Sequence, residues 1–390
     1  MSAPDMSDSA YACWTEEGKS QSALWRSENA SRAPHRIVVA DDRLTADTAY
    51  RYACEGTAML WRGDYQNARQ LLQAIARRID KKSAHRKQAE SKPTGKQSES
   101  RLEAFHLYRQ AQLQRARILG MLLIPLDAQY EIPLRRAPDV RDACLEAYGE
   151  AKENSLVSLR ELLGVIGAHE WRKNGVDIPA LGARIHPHYG VFSPVRGEYL
   201  DLLAQAPLAG KRRAFDIGTG TGVIAALLAR RGVAEVIATD MDERAIACAD
   251  ENIRCLGLEQ QVQVVKADLF PPGKADIIVC NPPWLPASAN SRLDHAIYDP
   301  DSRMLKGFLQ GLKPHLEEGG EGWLILSDLA EHLGLRSREQ LLDMFAGAGL
   351  AVRQKMDIKP RHPKTADRSD ALHEARRAET TSLWILTAMP

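Results

Sequence analysis

The chain has 390 residues, 44% of them hydrophobic, and a formal net charge of +1. That length exceeds one small domain and fits two, with enough apolar material for ordinary cores. The six cysteines, Cys13, Cys54, Cys144, Cys248, Cys255 and Cys280, form no CxxC pair and have no histidine cluster beside them, so no metal site is expected and reduced thiols in a cytoplasmic protein are. Residues 1–20 lack an apolar signal region and no apolar run is long enough to span a bilayer, so a soluble protein without membrane contact is expected.

In chain order, residues 1–30 are small and polar and are expected to be disordered. Over 45–79, Ala53, Ala58, Met59, Leu60, Leu71, Leu72, Ile75 and Ile79 recur at three- and four-residue spacings, which predicts two helices with a turn at Gly63 and Asp64. Residues 81–100, rich in Lys, Gln, Ser and Gly, predict an exposed basic linker. Helical patterning resumes over 101–123 and 138–163, so 31–176 is expected to be an all-helical domain. From Trp61 to Gly120, fourteen Lys/Arg stand against five Asp/Glu. This is either a solvated helix face with a charged linker or a surface that meets phosphate, with Arg77, Arg78, Lys81, Lys82, Arg86 and Lys87 as candidate contacts.

After residue 177 the pattern changes to short apolar strands alternating with helices, the signature of a parallel α/β sheet. Strands are predicted over 213–217, 235–239, 262–266, 276–280 and 322–327, and helices over 223–231, 243–256 and 302–316. Two last β-rich segments, 351–358 and 381–387, flank a polar insertion and could pair as an antiparallel hairpin at the sheet edge.

The first of these strands runs into Asp216-Ile217-Gly218-Thr219-Gly220-Thr221-Gly222, with a helix directly after. Glycines at alternate positions let backbone turn tightly and approach a ligand. A nicotinamide fingerprint would need a further glycine where Val223 stands. Asp240 closes the second strand and Asp268 the third. Either acid alone could be a helix cap or a solvated turn. Three acids at the C-terminal ends of successive parallel strands instead mark the ligand-binding edge of an open sheet. A carboxylate at Asp240 can accept both hydroxyls of a ribose, and one at Asp268 an adenine amino group.

The fourth strand ends in Asn281-Pro282-Pro283-Trp284. Asn281 has a side-chain carbonyl, and Pro282 a backbone carbonyl without an N–H. Two acceptors aimed at one point can grip both hydrogens of a planar NH2 group and favour a pyramidal nitrogen. Trp284 offers a flat face for stacking, or is simply a core residue in a Pro-rich turn.

With the glycine loop and these acids, residues from about 185 to 390 resemble a class I S-adenosylmethionine-dependent methyltransferase of the Asn-Pro-Pro-aromatic, HemK-like "methyltransferase small domain" group. The resemblance implies a Rossmann-like seven-stranded sheet and S-adenosylmethionine as cofactor. It implies that Gly218, Gly220 and Gly222 hold the methionine part, Asp240 the ribose and Asp268 the adenine, with Met241 packed on the adenine face. Asp216, Leu269 and Asn281 would complete the cofactor site, and Asn281, Pro282 and Trp284 the catalytic motif. Upstream of the first strand, Phe192 and Ser193 stand where relatives line the methionine end, while His186 and His188 flank a proline and read as surface or packing residues.

The group methylates glutamine in release factors, adenine N6 or guanine N2 in ribosomal or transfer RNA, or adenine in DNA. Its release-factor members carry Tyr where Trp284 stands and a Pro-Arg-Pro-Glu-Thr-type segment where this chain has Phe192-Ser193-Pro194-Val195-Arg196. An RNA base is therefore the expected acceptor, with the basic N-terminal segment as the RNA contact. The alternatives are a protein glutamine, with a protein as partner, and a non-catalytic binding module.

Overall fold

The computed structural model describes residues 10–29, 31–90, 101–194, 197–208, 210–289, 293–361 and 370–390. The chain divides into two units: the first ends at Glu170, and the second takes in 171–390 together with 100–105.

The N-terminal unit is built on a mixed sheet, not on helices alone. Its strands are β1 (Tyr11–Glu16), β2 (Lys19–Arg26), β3 (Arg36–Ala40), β4 (Thr57–Trp61), β5 (Leu122–Leu126) and β6 (Ser155–Ser158), in the order β1-β2-β6-β5-β4-β3. Between them run α1 (Ala46–Cys54), α2 (Tyr65–Glu90), α3 (Arg101–Leu119) and α4 (Arg141–Tyr148), and α5 (Leu159–Asn174) follows β6. The expected all-helical domain is thus corrected, for a physical reason. Every residue of β4, β5 and β6 is buried. Strands covered on both faces lose the two-residue alternation and read as continuous apolar runs, which the eye assigns to a helix face.

The expected disorder is corrected over residues 10–29, because β1 and β2 pair as an antiparallel hairpin in which Glu16 faces Lys19; residues 1–9 and 30 lie outside the described residues. Its two turn residues, Glu17 and Gly18, have φ of 51° and 74°, the left-handed pair that a tight hairpin turn needs. The basic linker expected over 81–100 is helical up to Glu90, as the end of α2, and 91–100 lie outside the described residues.

The C-terminal unit opens with a small hairpin, β7 (Val176–Ile178) and β8 (Ala183–Ile185), and helix α6 (Glu198–Gln205). Then follow β9 (Arg213–Ile217), α7 (Val223–Arg230), β10 (Glu235–Asp240), α8 (Glu243–Cys255), β11 (Val262–Lys266), β12 (Ala275–Cys280) and α9 (Arg303–His315). The unit closes with β13 (Leu316–Ser327), α10 (Leu329–His332), α11 (Arg338–Gly347), β14 (Leu350–Ile358), α12 (His373–Ala378) and β15 (Thr381–Ala388). The seven strands stand in the order β11-β10-β9-β12-β13-β15-β14. β15 runs antiparallel to both neighbours, so β14 and β15 form the expected antiparallel pair at the edge.

Both faces of the sheet are covered. Leu200, Leu203, Leu227 and Leu228 pack with Ile277, Val279 and Trp323 on one side. Leu305, Phe308, Leu309 and Phe345 pack with Phe215, Ile278 and Leu324 on the other. The strand order reverses between β9 and β12, and in such sheets ligands bind outside the strand ends at that point.

Candidate active site

β9 delivers a buried Asp216 and Ile217 to this reversal point, and the glycine loop starts there. Gly218, Gly220 and Gly222 have φ of 72°, 55° and 80°, backbone that a side chain disfavours. Two of them also pack closely: a Cβ on Gly218 would collide with Met304 Cε, and one on Gly222 would lie 3.2 Å from the Ala249 backbone. A Cβ on Gly220 would meet nothing within 4 Å, so this is the open crest of the loop. The amides of Gly218 and Thr219 both donate to the Thr239 carbonyl, at 2.9 and 2.8 Å, and pin the loop to β10.

Two carboxylates organise the loop from beneath. Asp216 is fully buried. Its Oδ2 accepts from Thr219 Oγ1 at 2.7 Å and from the Ala225 amide at 3.1 Å. Its Oδ1 is buried with no hydrogen-bond partner among the described residues. Burial pushes this carboxyl up to about 7, against the pull of those two hydrogen bonds and with the Asp240 charge adding to the rise. Asp240 ends β10; its Oδ2 accepts from the Gly220 amide at 3.1 Å and its Oδ1 from the Asp242 amide at 3.0 Å. Burial raises its pKa as well. Each Asp240 oxygen keeps a second lone pair.

Of the other expected cofactor residues, Asp268, Leu269 and Met241 follow the ends of β11 and β10, while Phe192 and Ser193 precede α6. Asp268 lies two residues past β11, exposed, and accepts from Arg303 Nη2 at 3.0 Å. Leu269 has φ of 72°, and its carbonyl accepts from Thr239 Oγ1 at 2.6 Å. Met241 is 59% exposed and Phe192 40%. Ser193 Oγ is buried without a hydrogen-bond partner among the described residues.

Asn281 follows β12 directly. Cys280 is in register with Ile217 of β9, and Ile217 with Thr239 of β10, so Asn281, Gly218 and Asp240 leave three adjacent strands at one level. Pro282 is buried, and Trp284 is partly buried against both core clusters. Trp284 Nε1 donates to Asn281 Oδ1 at 2.9 Å. Past the motif, the Leu285 amide donates to the Ile297 carbonyl at 3.1 Å and the Asp299 amide to the Leu285 carbonyl at 2.8 Å. Buried Asp299 in turn accepts from the Met304 and Leu305 amides at the start of α9.

Sequence reasoning missed several supporting residues. Thr219, Arg303 and Met304 carried no signal beyond their neighbours. Asn252, buried in α8, accepts from the His186 amide at 2.7 Å and donates to the carbonyls of His186 and Thr221 at 3.2 and 3.1 Å, tying the upstream segment to the glycine loop. The signal was available, because Asn252 lies in the helix predicted over 243–256 and continues the three- and four-residue spacing of Ala245, Cys248 and Ala249. His188 Nε2 and Arg172 Nη2 each bond Glu251 Oε2 at 2.7 Å, the packing role expected of the histidine.

A doubly covered sheet of this order, a glycine loop at its reversal point and an Asn-Pro-Pro-Trp corner on the adjacent strand define the C-terminal unit as a class I S-adenosylmethionine-dependent methyltransferase domain. Residues 182–346 match the family model of the methyltransferase small domain.

Among its relatives is the tRNA1(Val) (adenine(37)-N6)-methyltransferase of Bacteroides thetaiotaomicron, 34% identical over 149 residues that cover 35% of this chain and 62% of that protein. Another is the release factor glutamine methyltransferase of Moorella thermoacetica, 32% identical over 154 residues that cover 34% of this chain and 54% of that protein. The chain thus spans little more than half the length of these two relatives. A solved methyltransferase from Pyrococcus furiosus aligns over 59% of this chain and 99% of its own, with a TM-score of 0.39 at 19% identity. Among the described residues no helix is long and apolar enough to cross a membrane.

Proposed function

We propose that this protein is a cytoplasmic N-methyltransferase whose acceptor is a planar NH2 group on a base of ribosomal or transfer RNA. The observation that carries this reading is the level at which Asn281 leaves β12, beside the glycine loop and Asp240. S-adenosylmethionine, when bound, supplies an electrophilic methyl group on a cationic sulfur. The residues present fit it. Gly220 leaves the crest of the loop without a Cβ, and the remaining lone pairs of Asp240 suit the two ribose hydroxyls. The uncommitted Oδ1 of Asp216 favours a cation above the loop. Gly218 and Gly222 shape the methionine side, and Asp268, Leu269 and Met241 the adenine side, with Phe192 at the methionine end.

At the acceptor, Asn281 Oδ1 and the Pro282 carbonyl each accept one hydrogen of the target NH2. That grip draws the nitrogen towards a pyramidal shape and aims its lone pair for in-line displacement. No strong base is needed beforehand, because the methylated nitrogen becomes acidic and releases its proton to water. Trp284 borders the place where the acceptor plane lies.

Two features favour RNA over a protein glutamine. Trp284 replaces the tyrosine of release-factor enzymes, and the positive excess between Trp61 and Gly120 suits a polyanion. Arg77, Lys81 and Lys82 of α2 are exposed, whereas Arg78 and Arg115 already pair with Asp47 and Asp80. Labelled methyl transfer to total RNA and to total protein, from an extract lacking this enzyme, tests the reading. Label in RNA is expected, and label confined to protein would move the acceptor to glutamine.

A further inference from the structure

We propose that Trp284 is a positioning residue for Asn281: its indole N–H fixes which end of the Asn281 amide is presented as a hydrogen-bond acceptor. The inference rests on the proposed role of Asn281. An asparagine amide has nearly the same shape after a half-turn about its last bond, yet the half-turn exchanges an acceptor for a donor. An acceptor NH2 can be gripped only by the oxygen; the flipped amide would set donor against donor. Something must therefore specify the orientation before the acceptor arrives.

Trp284 meets the requirement chemically, because an indole N–H is a donor and nothing else. Only Oδ1 can pair with it, as it does at 2.9 Å. A flip of the amide would lose this bond and leave two donors facing each other in a partly buried setting. The oxygen still has a second lone pair for one hydrogen of the target. The donor itself is anchored. The indole packs against the cores on both faces of the sheet, and the next residue, Leu285, is 5% exposed and held by backbone bonds to Ile297 and Asp299. A ring anchored in this way does not readily swing aside, which argues against a removable cover over Asn281.

This role differs from stacking, and Trp284→Phe separates the two, since it keeps an aromatic face and removes only the N–H. In the methyl-transfer assay, run on whichever of the total RNA or total protein fractions takes the label, W284F should lower the maximal rate about 3- to 10-fold, the worth of one modest hydrogen bond. The half-saturating acceptor concentration and the affinity for S-adenosylmethionine should stay unchanged. A second variant isolates the orientation effect. The carboxylate of N281D has two equivalent oxygens and no wrong way round, so adding W284F to N281D should cost less than about 2-fold, a measurable non-additivity.

An unchanged maximal rate in W284F, or an equal loss with and without N281D, overturns the proposal. So does a fall in the half-saturating acceptor concentration at unchanged rate, which would make Trp284 a competitor for the Asn281 oxygen. If Asn281→Ala leaves transfer intact, the proposed function fails first. If Asn281→Ala abolishes transfer while W284F is silent, only the positioning role fails.

Discussion

Asp240 is engaged from two sides by backbone amides, those of Gly220 and Asp242, and still has lone pairs to offer. Charge-assisted hydrogen bonds of this kind contribute about 1.5–3 kcal/mol each. Asp240→Ala should therefore weaken S-adenosylmethionine binding at least about tenfold in calorimetry, and an unchanged affinity would move the ribose elsewhere. Asp216 adds a dependence on pH. Burial holds its carboxyl at about 7, above the value near 3.9 of a free aspartate. Between those two values the folded state binds more protons than the unfolded one. The cost of keeping Asp216 ionised is thus absent at low pH and complete above about 7. A cationic cofactor favours the ionised form, so its affinity should fall as pH drops from 8 to 6. Asp216→Asn should flatten the profile, and a flat profile in the unsubstituted protein would contradict the assignment. The sequence made both acids visible through their places at strand ends. It did not show that Thr219 and Ala225 hold one oxygen of Asp216 and leave the other uncommitted, because burial is a property of the fold around a residue.

Among the elements, the C-terminal strands were legible and the N-terminal ones were not. β9 and β10 are short apolar runs, each followed by a turn and then by helical spacing, and β11 and β12 are short apolar runs closed by the Asp268 turn and the Asn281-Pro282-Pro283 turn, so all four could be read locally. β4, by contrast, pairs with β5, some sixty residues further along the chain, and both are buried throughout. Neither alternation nor a local turn marks such a pairing. The β1–β2 hairpin escaped because its turn is Glu17-Gly18 and not the Asn-Gly or Asp-Gly that announces one. Helix α2 carries the element-scale prediction. Its exposed Arg77, Lys81 and Lys82 are proposed to meet phosphate, while Arg78 is committed to Asp47 at 2.7 Å. Changing those three to glutamate should flatten the salt dependence of RNA binding, by roughly one unit of slope for each phosphate no longer neutralised. Cofactor affinity should not change. A slope unaffected by the reversal would make α2 a solvated helix face.

At the scale of the whole molecule, a net charge of +1 conceals a division of labour. The C-terminal unit holds the glycine loop, the acids and the Asn-Pro-Pro-Trp corner on one sheet edge. The N-terminal unit brings a six-stranded sheet and the basic helix. The proposed role of Asn281 is to act on the acceptor nitrogen while contributing little to holding the cofactor, so that binding and chemistry can be separated by one substitution. Asn281→Ala removes one of two preorganised acceptors, a change that typically costs a factor of about 10²–10³ in turnover. The decisive measurement sets the methyl-transfer rate of this variant beside its affinity for S-adenosylmethionine. That loss of turnover is expected with cofactor affinity within about twofold of the unsubstituted protein. Full turnover after the substitution, or a loss of turnover matched by an equal loss of cofactor binding, would contradict it.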